Sequence, residues 1–473
     1  MKKLVCLFIL VLIFSNYAQA NMLNNSIFLH NNINSEEYPE SLKVEPIIKT
    51  ENSTLEAGVE NTIVVNLDDC IRLALGNNPR IQSAMQDVFV SNARLKQVWS
   101  NYFPEFSWQS GYSRIRQLQL SDVFQENLIY NYWVLGQISG SQLLYDFGVT
   151  QNQATIRKLD MAGYKIILTG IVNDVIYNVK DSYFYLQYAL EAKKVAEDNV
   201  KEYEKFYEQA KGFYVAGMKP KIDVTIAEVN LSNAKLTLIQ AEHNVYIAMA
   251  KLNNVIGIQY STKYDISEKL RFESCDISLN QAVTICEKSR PEFELADLKV
   301  EQANQNYKLV KKSWYPQFIT QGQFDVGGRH PDSNYGYTFG AYINFPTVNG
   351  MELKYKLREA SVLYAKEQSN ALNTKNNVYY EVQNAFYTLD EKKNKLPVAY
   401  LTLKQAKENY DLSSGRYKVG VGDPIELNDA QVQYKNAKLV YYQTLYEFNS
   451  ARANLEKSIG KNLSVSDVIL KTD

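Results

Sequence analysis

Carboxylates crowd the start of one segment, Asp423-Pro424-Ile425-Glu426, and another acid, Asp223, stands where an equivalent segment begins. Acids in such places serve helices first. An aspartate caps the free N–H groups of a first turn, a proline fits the first helical position, and a glutamate three residues on from the cap completes a capping box. Asp223, near its own helix start, favours the positive end of the macrodipole. Catalysis finds little else to work with. The 3 histidines are His30, His243 and His330, and none neighbours a nucleophile or a metal partner in the pattern. No phosphate-cradling glycine loop or cysteine cluster appears. The sequence reads as a non-enzyme that calls for no cofactor and no metal.

Bulk composition narrows the class. Lysine plus arginine total 51 against 52 acidic residues, so no charge excess points to a nucleic-acid partner. Glycine and proline are sparse, at 21 and 11 in 473 residues, whereas tyrosine reaches 35. Few breakers and many amphipathic aromatics suit long helices with partly polar seams. Met1–Ala20 reads as a secretory signal: Lys2 and Lys3 form a basic start, Leu4–Phe14 an apolar stretch, and Ala18-Gln19-Ala20 a small-residue cleavage site. Cys6 lies inside the apolar stretch, away from that site, which argues against a lipid-modified mature terminus. Export leaves Cys70, Cys275 and Cys286, an odd number without metal-ligand spacing; a pairing of Cys70 stays open. Residues 21–62 form an Asn-rich lead without a core pattern, read as flexible. No later segment is apolar enough for a transmembrane helix, so any membrane crossing must be made by strands.

The chain is written twice. Leu67 to Pro79 has the spacing of Leu279 to Pro291, and each proline opens a helical pattern. The patterns end at Tyr102-Phe103-Pro104-Glu105-Phe106 and Trp314-Tyr315-Pro316-Gln317-Phe318, where Pro104 and Pro316 start the strands. Further on, Tyr214-Val215-Ala216-Gly217 matches Tyr417-Lys418-Val419-Gly420, Asn233-Ala234-Lys235 matches Asn436-Ala437-Lys438, and Ile256-Gly257 matches Ile459-Gly460. So many matches in one order mean tandem duplication. The first repeat covers 63–260, the second 275–463, and 464–473 is a short tail.

Each copy reads helix, two strands, long helix, turn, helix. The first helix is expected over Pro79 to Phe103, the strands over about 105–146 and 317–346, and the long helices over about 149–214 and 350–417. Return helices start near Asp223 and Pro424. At 1.5 Å per residue the long helix extends about 100 Å, the return helix about 50 Å and the first helix about 37 Å. Two short helices end to end therefore nearly match one long helix, enough for a tall one-layer wall. A seven-residue period runs along the return helices, in Ala227, Ala234, Ala241 and Ala248 beside Leu231, Leu238, Val245 and Leu252, as left-handed supercoiling requires. Gly217 and Gly420 are placed to end the long helices as left-handed caps.

From the helices alone an ordinary bundle competes evenly; the strands decide. Phe106, Trp108 and Tyr112 alternate with polar residues, as do Phe318, Phe324 and Val326, and again Tyr335 to Phe345. The fourth strand, around Tyr132–Leu144, is noisier. Each covers about ten residues, the length a tilted strand needs to cross a bilayer. One aromatic face and one polar face suit a water-filled membrane barrel. Four strands cannot close one, because lipid leaves open edges unsatisfied. Three copies would supply twelve strands, closing a barrel on a three-fold axis. Loops at about 114–131 and 328–334 would face the exterior. The rival from another class is a soluble periplasmic coiled-coil scaffold or adaptor.

These residues resemble the TolC-like outer membrane efflux protein family over roughly Leu67 to Gly460. The carriers are Pro79 and Pro291, Pro104 and Pro316, Leu144-Tyr145-Asp146-Phe147-Gly148, and above all the two Tyr-x-x-Gly turns. The resemblance implies a mainly α fold with a membrane β-barrel: a homotrimer with a twelve-stranded barrel in outer-membrane lipid and a periplasmic helical tunnel. It also implies an exit duct for efflux or type I secretion, docked through a periplasmic adaptor onto an inner-membrane pump of RND, ABC or MFS type. A gate tyrosine of the family aligns with Tyr417, its aspartate partner with Asp223, and two acidic rings at the mouth with Glu426 and Asp429. On a three-fold axis those rings would favour cations. The family's gate arginine falls on Gly422 and its threonine partner on Ile222, so that second latch is missing here. Glu426 stays open between ring and capping box.

Overall fold

In a computed structural model the described residues are 63–120, 125–258, 264–266, 270–272, 277–328, 334–346, 349–419 and 421–461. The expected signal segment, the lead before residue 63, Cys275, Gly420, residues 329–333 and the tail lie outside them. The first copy runs β1 (Ile63–Val65), α1 (Leu67–Asn77), α2 (Pro79–Trp99), β2 (Glu105–Leu120), β3 (Gln125–Tyr145), α3 (Val149–Val215) and α4 (Lys221–Ile256). The second runs β4 (Tyr264–Ile266), α5 (Leu279–Ser289), α6 (Pro291–Lys312), β5 (Gln317–Gly328), β6 (Tyr335–Asn344), α7 (Gly350–Lys418) and α8 (Pro424–Ile459). Among the described residues no helix is long and apolar enough to cross a membrane.

The repetition extends to single hydrogen bonds. Asn78 Nδ2 donates to Val255 O at 2.6 Å, and its counterpart Arg290 donates from Nη1 to Lys457 O at 2.7 Å. Each bond ties the residue before a helix-starting proline to the end of the return helix. Gly257 and Gly460 cap those return helices at φ of 80° and 71°. A Cβ there would stand 2.7 Å from Asn77 O and 2.6 Å from Ser289 O, so only glycine fits. Short helices thus meet end to end, and α2 and α4 both lie along α3, as α6 and α8 lie along α7.

Long helices α3 and α7 have 67 and 69 residues, about 100 Å each at the standard rise. The α3 helix also packs on α6 and α8 of the second copy. The internal seam explains why the return helices differ. On α8, which lies between α3 and α7, Phe448, Leu455, Thr444 and Ala430 are buried. On α4, packed along α3, Leu236, Ile239, Tyr246 and Ile247 stay exposed.

Four strands form one antiparallel sheet in the order β2-β3-β5-β6, with β2 and β6 as open edges. Directly paired residues share a face, so Phe106, Trp108, Tyr112, Trp133, Ile138, Phe324, Tyr337 and Phe339 line one side, all exposed. The opposite face carries polar rows: Glu105, Ser141, Gln321 and Gly340, then Ser107, Ser139, Gln323 and Thr338. Alternation in β3 is blurred by bulges, between Val134 and Gly136 and between Leu143 and Tyr145, which shift the parity of its side chains.

Several expectations are corrected. Each repeat opens with a separate helix, α1 or α5, ahead of the one expected from its proline. The expected helix from Pro79 to Phe103 stops at Trp99; a 3-10 turn covers Ser100–Tyr102 and Phe103 is extended, as a residue before proline prefers. Strands β2 and β3 have 16 and 21 residues, not about ten, and the loop expected at 114–131 is paired backbone through Leu120 and Gln125. An unforeseen parallel pair joins Ile63–Val65 to Tyr264–Ile266.

The family motif at 144–148 is a strand-to-helix corner. Phe147 and Gly148 take φ of 53° and 80°. Buried Asp146 accepts from Gly148 N–H at 3.0 Å, Thr150 N–H at 2.6 Å and the Tyr102 hydroxyl at 3.2 Å, satisfying the first turn of α3. Cys70 and Cys286 are free and buried, which pushes their thiols up to about 12 and about 11 and leaves both inert.

Candidate functional site at the helical turns

Two turns at the ends of the long helices hold most of the residues that the sequence singles out. In the first, Met218 N–H reaches Phe213 O at 2.9 Å and Gly217 N–H reaches Tyr214 O at 3.0 Å, with Gly217 at φ 72°. This is the Schellman closure, in which a left-handed residue satisfies the last carbonyls. In the second, Val421 and Gly422 N–H groups both donate to Arg416 O, at 3.2 and 3.0 Å.

Gly422 seats against that helix end. A Cβ would meet Tyr417 N at 2.6 Å and Arg416 C at 2.9 Å. The position onto which the family's gate arginine falls is therefore a backbone-to-backbone contact in this chain. Gly422→Arg is expected to strain the turn by about 1–3 kcal/mol rather than rebuild a latch. Thermal unfolding in detergent measures it; an unchanged melting temperature would show that the turn relaxes freely.

Asp423 Oδ1 accepts Ile425 N–H at 3.0 Å and Pro424 takes the first helical position. Glu426 does not close a capping box. Its Oε1 accepts instead from Arg416 Nη1 at 2.9 Å, tying the end of α7 to the start of α8. A charge-assisted bond to guanidinium outcompetes one to a neutral amide. Both partners are largely exposed, so the pair adds little stability. What it changes is charge, since Arg416 offsets part of the field of Glu426 while Asp429 stands exposed one turn further in.

Tyr417 is only 4% exposed. Its ring meets Phe206 and Phe213 of α3 edge-on, with centroids 6.4 and 6.2 Å apart. A second-copy tyrosine thus wedges into the first copy. Burial raises its hydroxyl pKa, and the nearby Asp223 carboxylate raises it further. Among the described residues no hydrogen bond joins the two, and Ile222 is exposed.

Polar ties not foreseen from sequence lie behind the wedge. Asn428 Oδ1 accepts from the Tyr203 hydroxyl and from Asn230 Nδ2, both at 3.0 Å, joining α3, α4 and α8. Gln431 Nε2 donates to Asn199 Oδ1 at 3.2 Å, and the Tyr410 hydroxyl donates to Glu202 at 3.1 Å. Beside them lies a groove of about 640 Å³, lined among others by Asp198, Lys201, Glu202, Lys205, Glu208 and Lys438. Arg416 and Asn428 carried no signal, because their partners come from other helices or across a turn.

Among the described residues no group of histidine, cysteine, aspartate and glutamate side chains could hold a metal ion. Elsewhere, Pro104 and Pro316 stand directly before β2 and β5.

The outer membrane efflux protein family profile matches residues 70–258 and 285–461, once per repeat and over more than half of the chain. Toxin and drug export protein A of Aggregatibacter actinomycetemcomitans is 21% identical over 319 residues, covering 66% of this chain and 68% of that protein. The probable efflux pump outer membrane protein TtgC of Pseudomonas putida is 19% identical over 296 residues, covering 60% of each. In structure, the Campylobacter jejuni CmeC outer membrane channel superposes with a TM-score of 0.73 at 17% identity, over 86% of this chain and 90% of that one. The Neisseria gonorrhoeae MtrE outer membrane channel, in its open state, gives 0.69 at 18% identity over 86% and 94%. Family members are passive channels rather than enzymes, and a soluble scaffold is set aside. A duplicated wall of long helices under a sheet with one aromatic and one polar face is what such a duct requires, and the chain belongs to the outer membrane efflux protein family, with the protomer fold of its trimeric channels.

Proposed function

We propose that this channel is the exit duct of a pump-driven export system, gated at the helical turns by the Tyr417 wedge with Asp223 and made cation-selective by Asp429 and Glu426. The observation that carries the reading is the burial of Tyr417 between Phe206 and Phe213, because it joins the two helical hairpins at the end where a duct must part. Three copies would complete a barrel from the open edges of β2 and β6. A periplasmic adaptor would seat on the helical wall, where the charge-lined groove offers polar purchase, and hand over cargo from an inner-membrane pump. Drugs or secreted toxins are the cargo classes that relatives' names suggest.

Planar-bilayer recording of the purified protein tests this. Openings are expected to be brief, infrequent and cation-selective. Arg416→Ala should raise the cation preference by unmasking Glu426, and Asp429→Asn should lower it. Equal permeation of anions and cations in the wild type would refute the acidic mouth, and a stable water-soluble monomer without detergent would refute the duct itself.

A further inference from the structure

The first strand hairpin outruns the second. Strand β5 ends at Gly328, opposite Trp133, while β2 and β3 stay paired from Tyr112 and Trp133 out to Leu120 and Gln125. The helices attach at the other end of the sheet, so this overhang lies on the cell-exterior side. Register carries the aromatic face into it: Phe106, Trp108 and Tyr112 are followed on the same face by Arg114, directly opposite Asn131. The Asn131 Oδ1 accepts the Tyr112 hydroxyl at 2.8 Å, which leaves the Asn131 amide nitrogen as a second donor beside the guanidinium.

Depth follows from the pleat. Phe318 to Val326 covers eight steps of about 3.4 Å, which at a tilt near 40° is on the order of 20 Å of membrane. Tyr112 and Trp133, with ring centroids 4.6 Å apart, mark the outer end of that band, where aromatic girdles sit. Arg114 lies two residues beyond, on the order of 5 Å further along the normal by the same rise. That is headgroup depth. Arg114 and Asn131 are exposed, and among the described residues no carboxylate forms an ion pair with Arg114. The outer leaflet of a Gram-negative outer membrane presents phosphorylated glycolipid, and guanidinium binds phosphate as a planar fork.

We propose that Arg114, with Asn131 beside it on the outward face just beyond the Tyr112–Trp133 pair, clasps a phosphate of lipopolysaccharide. Each protomer contributes one such clasp, so three surround the barrel. They fix its height in the membrane from outside, as the aromatic band fixes it from within.

The test uses purified full-length protein in detergent, with binding read by fluorescence titration. Probes are diphosphorylated lipopolysaccharide, its phosphatase-treated form and inorganic phosphate. The wild type is expected to bind the phosphorylated form at least tenfold more tightly than the treated form. Arg114→Ala should lose that preference, and Arg114→Lys should keep part of it. Preserved helicity and heat resistance in the alanine variant would locate the effect at the surface. Equal binding by wild type and alanine variant would overturn the clasp. Equally tight competition by inorganic phosphate would overturn the lipid as its ligand in favour of a free-anion site.

Discussion

Open time in planar bilayers is expected to rise at least tenfold when Tyr417 is replaced by alanine. The ring is buried, and its two edge-on aromatic contacts contribute about 0.5–1.5 kcal/mol each beyond area burial. Truncating a buried aromatic side chain removes about 3–5 kcal/mol where the cavity persists, and three protomers lose it together. Any part of that energy which resists parting of the hairpins shifts the closed–open balance tenfold per 1.4 kcal/mol or so. Tyr417→Phe keeps the ring and removes only the hydroxyl near Asp223, so its effect should be smaller, and similar to that of Asp223→Ala. Conductance unchanged in both Tyr417→Ala and Asp223→Ala would sink the latch assignment.

A different variant should strike stability rather than opening. Glu456 Oε2 lies 2.5 Å from Lys180 Nζ, with both side chains 4% exposed, and Arg452 Nε approaches the other oxygen at 3.8 Å. The pair crosses the seam between the copies, from α3 to α8. Glu456→Ala takes the carboxylate away from a buried ammonium and is expected to cost about 3–5 kcal/mol. Replacing both partners, as Lys180→Met with Glu456→Met, should cost much less, since a buried ion pair gains little over apolar packing. Heat-induced loss of helicity in detergent compares the three. A double variant as unstable as the single one would mean that the charges do more than balance each other.

Periodicity made much of this fold readable. The tandem copies, the long helices and the two-faced strands are long patterns, and local noise cannot erase them. The Pro79 and Pro291 helix starts and the Asp423 cap were equally plain, because each depends on neighbours within four residues. The features that escaped are either too short to show a period or depend on partners elsewhere in the chain. The separate helices α1 and α5 are 11 residues each, too short for their period to stand apart from the longer helix after them. The overhang of β2 and β3 was hidden because polar residues such as Arg114 and Gln117 resemble a loop until the pairing partner is known. Glu426 matched the capping-box pattern, yet a guanidinium ten residues upstream bonds it instead. Gly422 looked like a lost arginine and is a steric requirement.

The buried charge pair and the tyrosine wedge grip the same two copies at different heights. Along α3, Lys180 and Phe213 are 33 residues apart, on the order of 50 Å at the helical rise. One grip can therefore act as a pivot for the other. A rotation of about 10° around the Lys180 level would sweep the far turns by roughly 9 Å over that arm, wide enough to admit a small solute. Leverage of this kind would let the wall flex where it is aromatic and stay clamped where it is ionic.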